Sequence, residues 1–306
     1  MEVINDTIIK VNSLSKDFGE VKAVNDLSFT VYAGQVYGFL GQNGAGKSTT
    51  IRMLLTLIEP SAGQIEIFGL NLKKHRREIL RRTGAMIERP DLYKYLSALE
   101  NVRIFSKLSG VKVSEKRITD QLAMVGLAER MQSKVKTYSQ GMKQRLGLAC
   151  ALVHDPELLI LDEPTNGLDP QGIADMRNMI THLSKDLGKT LLVSSHLLSE
   201  MEVVADNMLI IHKGRKIVEG QVEELLNPLK SMVELLTPDV AVALDFLHSS
   251  SWNLFLKEQV NGIIRLEFNK EDIPQLNKEL VENGVPVMSL RPVHSLEEYF
   301  LAQTKQ

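Results

Sequence analysis

"GQNGAGKST", Gly41–Thr49, is the stretch on which the fold turns. It fits G-x-x-x-x-G-K-[ST] and lies between a strand-like run, "GQVYGFLG", and a run of helical period, "KSTTIRMLLTLIEP". That strand-to-helix setting is the one the pattern requires. Glycines let backbone N–H groups curl around phosphate oxygens without a Cβ in the way, so Gly41, Asn43, Gly44 and Gly46 read as a phosphate cradle. Lys47 would reach the β- and γ-phosphates, and the Ser48 hydroxyl would ligate Mg²⁺. Thr49 completes the predicted contacts at the helix start.

Working outward, residues 7–37 are rich in β-branched and aromatic residues and read as short strands. After the loop, Ile51, Leu54, Leu55 and Ile58 form one helical face that Pro60 closes. "SAGQIEIFG" returns to strand, and the chain from about Arg89 to Leu152 is mainly helical. "LLILDEP" and "TLLVSSH" are strand-like and are separated by the helical "PQGIADMRNMITHLSKDL", which predicts a largely parallel α/β core. "NMLIIHKGRKIVEG" predicts a hairpin turning at Lys213-Gly214. Near Gln221–Lys230 the composition becomes more polar and a second unit is expected, spanning residues 221–306. Its pattern is β-α-β-β-α-β, the split βαβ order of a small ferredoxin-like α+β domain, followed by a last helix in "SLEEYFLAQT".

"LLILDEP" ends in two carboxylates, and neighbouring side chains on a strand point to opposite sides. Asp162 fits the acid that supports Mg²⁺, whereas Glu163 stands at the strand end where such sheets bind ligands. There it would orient or deprotonate the water that attacks the γ-phosphate. His196 ends the next core strand and is placed for a γ-phosphate contact.

The 306 residues are 43 % hydrophobic and 24 % charged, the balance of a globular protein with ample core. A net charge of −2 argues against a surface that coats nucleic acid. Cys150 is the only cysteine, so no internal disulfide forms, and its place on an apolar helix side reads as core packing. The start "MEVINDTIIK" lacks the plan of a secretory signal. No uninterrupted apolar run reaches the roughly 20 residues a membrane span needs.

"YSQGMKQR", Tyr138–Arg145, supplies a second helix start with Ser139 and Gly141 at its mouth. Helix starts suit anions, yet the phosphate loop lies far upstream. The order "GQNGAGKST", "YSQGM", "LLILDEPTNGLD", "SSH" resembles the ATP-binding subunit of an ABC transporter over roughly residues 5–220. The resemblance implies a P-loop NTPase core with an antiparallel β-subdomain and an inserted helical subdomain, about 89–152, within an ATP-binding domain of residues 1–220. It also implies ATP with Mg²⁺ as cofactors and a second copy, or a paralogous subunit, packed head to tail. Ser139 and Gly141 of one copy would then face the γ-phosphate held by Lys47 of the other. Phe18 matches the aromatic that stacks on adenine, with the strand-end core as its alternative, and Val24 would pack beside it. Asp169, in "NGLD", would cross the interface toward the opposite phosphate loop.

Two departures stand out. Tyr138, Gln140 and Met142 replace the usual leucine, glycine and glutamine of the signature, and Glu88 replaces the usual glutamine before the helical subdomain. A carboxylate is a harder Mg²⁺ ligand than an amide, so Glu88 joins Ser48 and Asp162 as a candidate metal ligand. "IERP" with "YSQGMKQRL" looks most like the bacitracin-resistance and lantibiotic-immunity branch. The expected function is an exporter ATPase driving separate transmembrane permease subunits, for an antibiotic, peptide or other amphiphile. It would sit in the cytoplasm on the inner face of the plasma membrane through those subunits. The alternative is a soluble ATPase of the same fold acting on ribosomes or DNA. Tyr93, Tyr95 and Leu96 are candidate permease contacts or local packing residues. "KKHRREILRR" reads as a solvated face or an anionic lipid contact.

Overall fold

The computed structural model describes residues 6–88, 90–226, 231–260 and 262–293. These fall into two compact units, Met1–Gln221 and Val222–Gln306. In chain order the first unit holds β1 (Thr7–Phe18), β2 (Val21–Tyr32), β3 (Val36–Leu40), α1 (Lys47–Leu54), β4 (Ala62–Ile67), β5 (Leu70–Asn71), α2 (Arg76–Arg81) and β6 (Thr83–Ile87). There follow α3 (Ala98–Leu108), α4 (Glu115–Met124), α5 (Gln140–Leu152), β7 (Leu158–Asp162), α6 (Pro170–Lys185), β8 (Thr190–Ser195), α7 (Leu198–Val204), β9 (Asn207–His212) and β10 (Arg215–Gln221).

The core sheet runs β10-β9-β3-β8-β7-β6. Every pair in it is parallel except β9–β10, which turns at Lys213-Gly214 with both residues at positive φ. Strands β3, β7 and β8 are buried along their whole length, which explains their unbroken apolar runs. In register, Leu40 lies beside Ser195 and Asp162 beside Ser194. The phosphate loop, the two acids and His196 therefore leave the sheet at one common edge. A second, antiparallel sheet runs β2-β1-β4-β5. Its first two strands are 12 residues each, and β1 absorbs register shifts between Val11 and Asp17 without breaking.

The helix after the phosphate loop is shorter than expected: α1 stops at Leu54. Thr56 takes the left-handed conformation, its N–H donates to Met53 O, and the Leu57 N–H donates to Arg52 O at 2.8 Å. That is a Schellman stop made by a non-glycine residue, so no glycine marks it in the sequence. The inserted helices pack on their own core of Val102, Ile118, Leu122, Tyr138 and Leu146. Each begins on a serine cap: Ser97 in a full capping box with Glu100, then Ser114 and Ser139. Cys150 is buried here, and burial pushes its thiol far above the ordinary range, as a packing role requires.

The second unit holds α8 (Val222–Leu226), β11 (Ser231–Leu236), α9 (Val240–Ser249), β12 (Leu256–Val260), β13 (Ile263–Phe268), α10 (Ile273–Glu282) and β14 (Ser289–Val293). Its sheet order β12-β13-β11-β14, with every neighbour antiparallel, is the split βαβ arrangement. The core is built on Leu235, Leu247, Trp252, Phe268 and Leu276. The expected helix "SLEEYFLAQT" lies outside the described residues.

Candidate nucleotide site

The phosphate loop leaves β3 and closes tightly. A Cβ on Gly41 would come within 2.7 Å of Ile211 O, and one on Gly46 within 2.5 Å of Ala23 O. Gly46 also sits at φ +108°, so no other residue fits without moving the backbone. Lys47 is 5 % exposed; its Nζ donates to Gly41 O at 2.5 Å and lies 3.2 Å from Glu163 Oε1. A cavity of about 550 Å³ opens over the loop, lined by Gln42, Asn43, Gly44, Gly46, Lys47, Ser48 and Thr49. Ala23, Ile87, Glu88, Asp91, Gln144, Glu163 and Asn166 complete its wall.

Asp162 is fully buried at the end of β7. Its Oδ1 accepts from Ser194 Oγ, and its Oδ2 has no hydrogen-bond partner among the described residues. A buried carboxylate oxygen left in that state is costly unless a cation or a metal-bound water completes it. With the Ser48 hydroxyl in the adjoining cavity, this donor set fits Mg²⁺. Glu163 follows at φ +51°, a strained value for a side chain with a Cβ, and its N–H donates to Ser194 Oγ at 3.0 Å. The turn points its carboxylate into the cavity. There Oε2 meets His196 Nδ1 at 2.8 Å, while Oε1 makes an ionic contact with Lys47.

The sequence matches the ABC transporter family over residues 24–166. It is 45 % identical over 296 residues to the bacitracin transport ATP-binding protein BcrA of Bacillus licheniformis, covering 96 % of both chains. The chain belongs to the ABC transporter family. It is an ATP-binding, ATP-hydrolysing subunit of that family, of mixed α/β P-loop NTPase fold. The lantibiotic transport ATP-binding protein SrtF of Streptococcus pyogenes is 41 % identical over 226 residues, 72 % of this chain and 96 % of that one. Among solved structures, the ATP-binding subunit of an ABC transporter superposes with a TM-score of 0.65 at 32 % identity, covering 72 % of this chain and 92 % of the other.

The remaining expected ATP-site residues of this ABC subunit are placed differently from one another. Phe18 is 52 % exposed at the end of β1 with Lys16 Nζ 5.0 Å from its ring centre, so it is not core. Val24 is fully buried in the core beneath the loop, and its neighbour Ala23 lines the cavity. Strand alternation on β2 turns one inward as it turns the other out. Glu88 lines the cavity, but its carboxylate is paired with Arg52 at 2.7 Å.

Ser139, Gly141 and Asp169 do not line this cavity. Ser139 is exposed at the start of α5 and accepts from the Met142 N–H; Asp169 is exposed and caps α6 through the Gly172 N–H at 2.9 Å. Tyr138 is a packing substitution, buried with its hydroxyl donating to Arg130 O at 2.6 Å.

Tyr93 and Tyr95 are exposed, the latter at 79 %, and Leu96 is half-buried. Their loop is pinned from beneath. Buried Asn101 accepts from the Tyr93 N–H and donates to Tyr93 O, while the N–H groups of Val135 and Lys136 donate to Leu96 O and Lys94 O. In "KKHRREILRR" only Ile79 is buried within α2, and the run's last residue, Arg82, stacks 3.8 Å from the Phe68 ring and pairs with Glu157.

Sequence reasoning missed Arg52, Asn166, Ser194 and Gln144. Gln144 is buried with Oε1 lacking a partner among the described residues, a placement that only the tertiary fold creates. Ser194 had a signal in the doubled serine of "SSH", directly beside Asp162 across the sheet.

Proposed function

We propose that this chain powers an exporter of a peptide antibiotic or similar amphiphile, through ATP-driven closure of two copies on separate membrane subunits. One observation carries the two-copy reading. The cavity is lined by the phosphate loop, Lys47 and Glu163, yet the second anion-suited helix start, at Ser139, lies outside it on exposed surface. A nucleotide bound to Lys47 has an open side that a second molecule's Ser139 and Gly141 would cover. Asp169, exposed at the start of α6, fits the same seam.

Lys47 would hold the γ-phosphate, releasing Glu163 to act on the attacking water with His196 orienting its carboxylate. Ser48 and Asp162 would hold Mg²⁺, which neutralises charge on the β- and γ-phosphate oxygens when bound. Glu88 stands ready as a further ligand once it leaves Arg52. Phe18 offers its exposed ring to the base.

BcrA and SrtF are named for bacitracin and lantibiotic transport, which supports the export reading over action on ribosomes or DNA. No helix among the described residues is long and apolar enough to cross a membrane, so the passage itself belongs to partner subunits. Tyr93 and Tyr95 are the surface proposed to meet them. The test mixes two inactive variants, Lys47→Ala and Gly141→Asp. Head-to-tail pairing leaves one intact site in each mixed dimer, so a one-to-one mixture recovers about a quarter of parental turnover. No recovery from the mixture refutes the shared site.

A further inference from the structure

Glu200 lies in α7, away from the cavity lining, and is only 6 % exposed. Its Oε2 accepts two hydrogen bonds, from Thr165 Oγ1 at 2.7 Å and from Ser195 Oγ at 2.9 Å. The two hydroxyls sit on different segments. Thr165 follows Glu163 by two residues on the turn after β7, and Ser195 ends β8 directly before His196. Ser195 Oγ also accepts from the Leu197 N–H at 3.0 Å, so the hydroxyl grips the chain on both sides of His196. Glu200 makes no ion pair among the described residues.

A buried carboxylate without a cation is expensive, and stability alone does not call for one at this place. What a carboxylate adds is short, strong bonds from two donors to one oxygen. We propose that Glu200 is a positioning residue for ATP hydrolysis. It brackets the turn that carries Glu163 to the strand end that carries His196, and so fixes the 2.8 Å contact between them. Ser194 forms the other half of the bracket, holding Asp162 and the Glu163 backbone one residue earlier on the same two strands. With both in place, neither β7 nor β8 can slide at its end without breaking a buried bond. The inference rests on the roles proposed above for Glu163 and His196.

The test uses the full-length chain with Glu200→Gln, Glu200→Ala and Thr165→Val, each alone and with His196→Ala. Because Glu200 does not touch the cavity, ATP affinity should stay within about twofold, while kcat falls about tenfold or more in Glu200→Ala. Glu200→Gln keeps an acceptor oxygen and should recover part of that loss. The separating readout is non-additivity: in the His196→Ala background, Glu200→Ala should cost little more. Equal fold-losses in both backgrounds, or an unchanged kcat in Glu200→Ala, overturn the bracket. Thr165→Val serves if Glu200→Ala does not fold, and unchanged kcat there overturns it equally. Should His196→Ala itself turn over like the parent, the failure lies with the catalytic reading of His196 and takes the bracket with it. A loss in His196→Ala with none in the Glu200 variants sinks the bracket alone.

Discussion

Glu163→Gln separates binding from bond breaking. In the structure the two carboxylate oxygens face two donors, Lys47 at 3.2 Å and His196 at 2.8 Å. Glutamine is neutral and has one acceptor oxygen and an NH₂, so it cannot accept from both donors as the carboxylate does. The lost charge-assisted contact costs roughly 1.5–3 kcal/mol in the nucleotide-free protein. The same change frees Lys47 and removes a like charge beside the incoming phosphates. Two unit charges about 4 Å apart interact by about 4 kcal/mol at an effective dielectric of 20, and we take about a third of that in a cavity open to water. The result, about 1.4 kcal/mol, is about a tenfold gain in ATP affinity. Turnover, losing its base, falls by about 10²–10⁴. A fluorescent ATP analogue and steady-state phosphate release, run on one preparation, measure both. Turnover within about threefold of the parent, or weaker ATP binding, would refute the assignment of Glu163.

Other outcomes follow from the same geometry. Lys47→Ala should weaken ATP binding by about 100-fold, and unaltered affinity in an equilibrium titration removes the phosphate-loop assignment. Gly46→Ala forces a Cβ against Ala23 O at an unfavourable φ, so strain of about 1–3 kcal/mol should lower the melting temperature and ATP affinity together. Glu88→Gln should move the Mg²⁺ dependence of ATPase activity to higher concentration; a superimposable curve shows that Glu88 acts elsewhere. Burial lowers the pKa of His154, whose Nε2 meets Thr83 O at 3.2 Å. The unfolded ring gains its proton near pH 6.5 while the folded ring stays neutral, so this group makes stability decline as pH falls below about 6.5. Thermal melts at pH 7.5 and 5.5 check it: His154→Gln should narrow the gap between them.

The phosphate loop and "LLILDEP" were legible because each needs consecutive residues in a fixed local setting. The β-α-β-β-α-β order of the second unit was legible for the same reason, since period and turn residues lie within each short run. The stop after Leu54 was not, because Thr56 adopts a conformation usually reserved for glycine. The burial of Val24 beside the cavity-lining Ala23 was not legible either, because family position does not say which of two neighbouring strand residues faces inward. The Arg52–Glu88 pair and the Glu200 bracket join residues 36 and 35 apart in sequence, and no local pattern encodes such meetings.

The pinned loop at Tyr93 and Tyr95 has a mechanical consequence. Its backbone is stapled to Val135 and Lys136, only a few residues ahead of Ser139. Nothing between them is slack: Ser97 bridges Lys134, and Tyr138 is anchored by its hydroxyl. On the two-copy reading proposed above, a push on the two exposed rings would travel as the rotation of a stiff lever, carrying the mouth of α5 with it. Slack engineered into the staples would let the rings move while the far end of the lever stayed still.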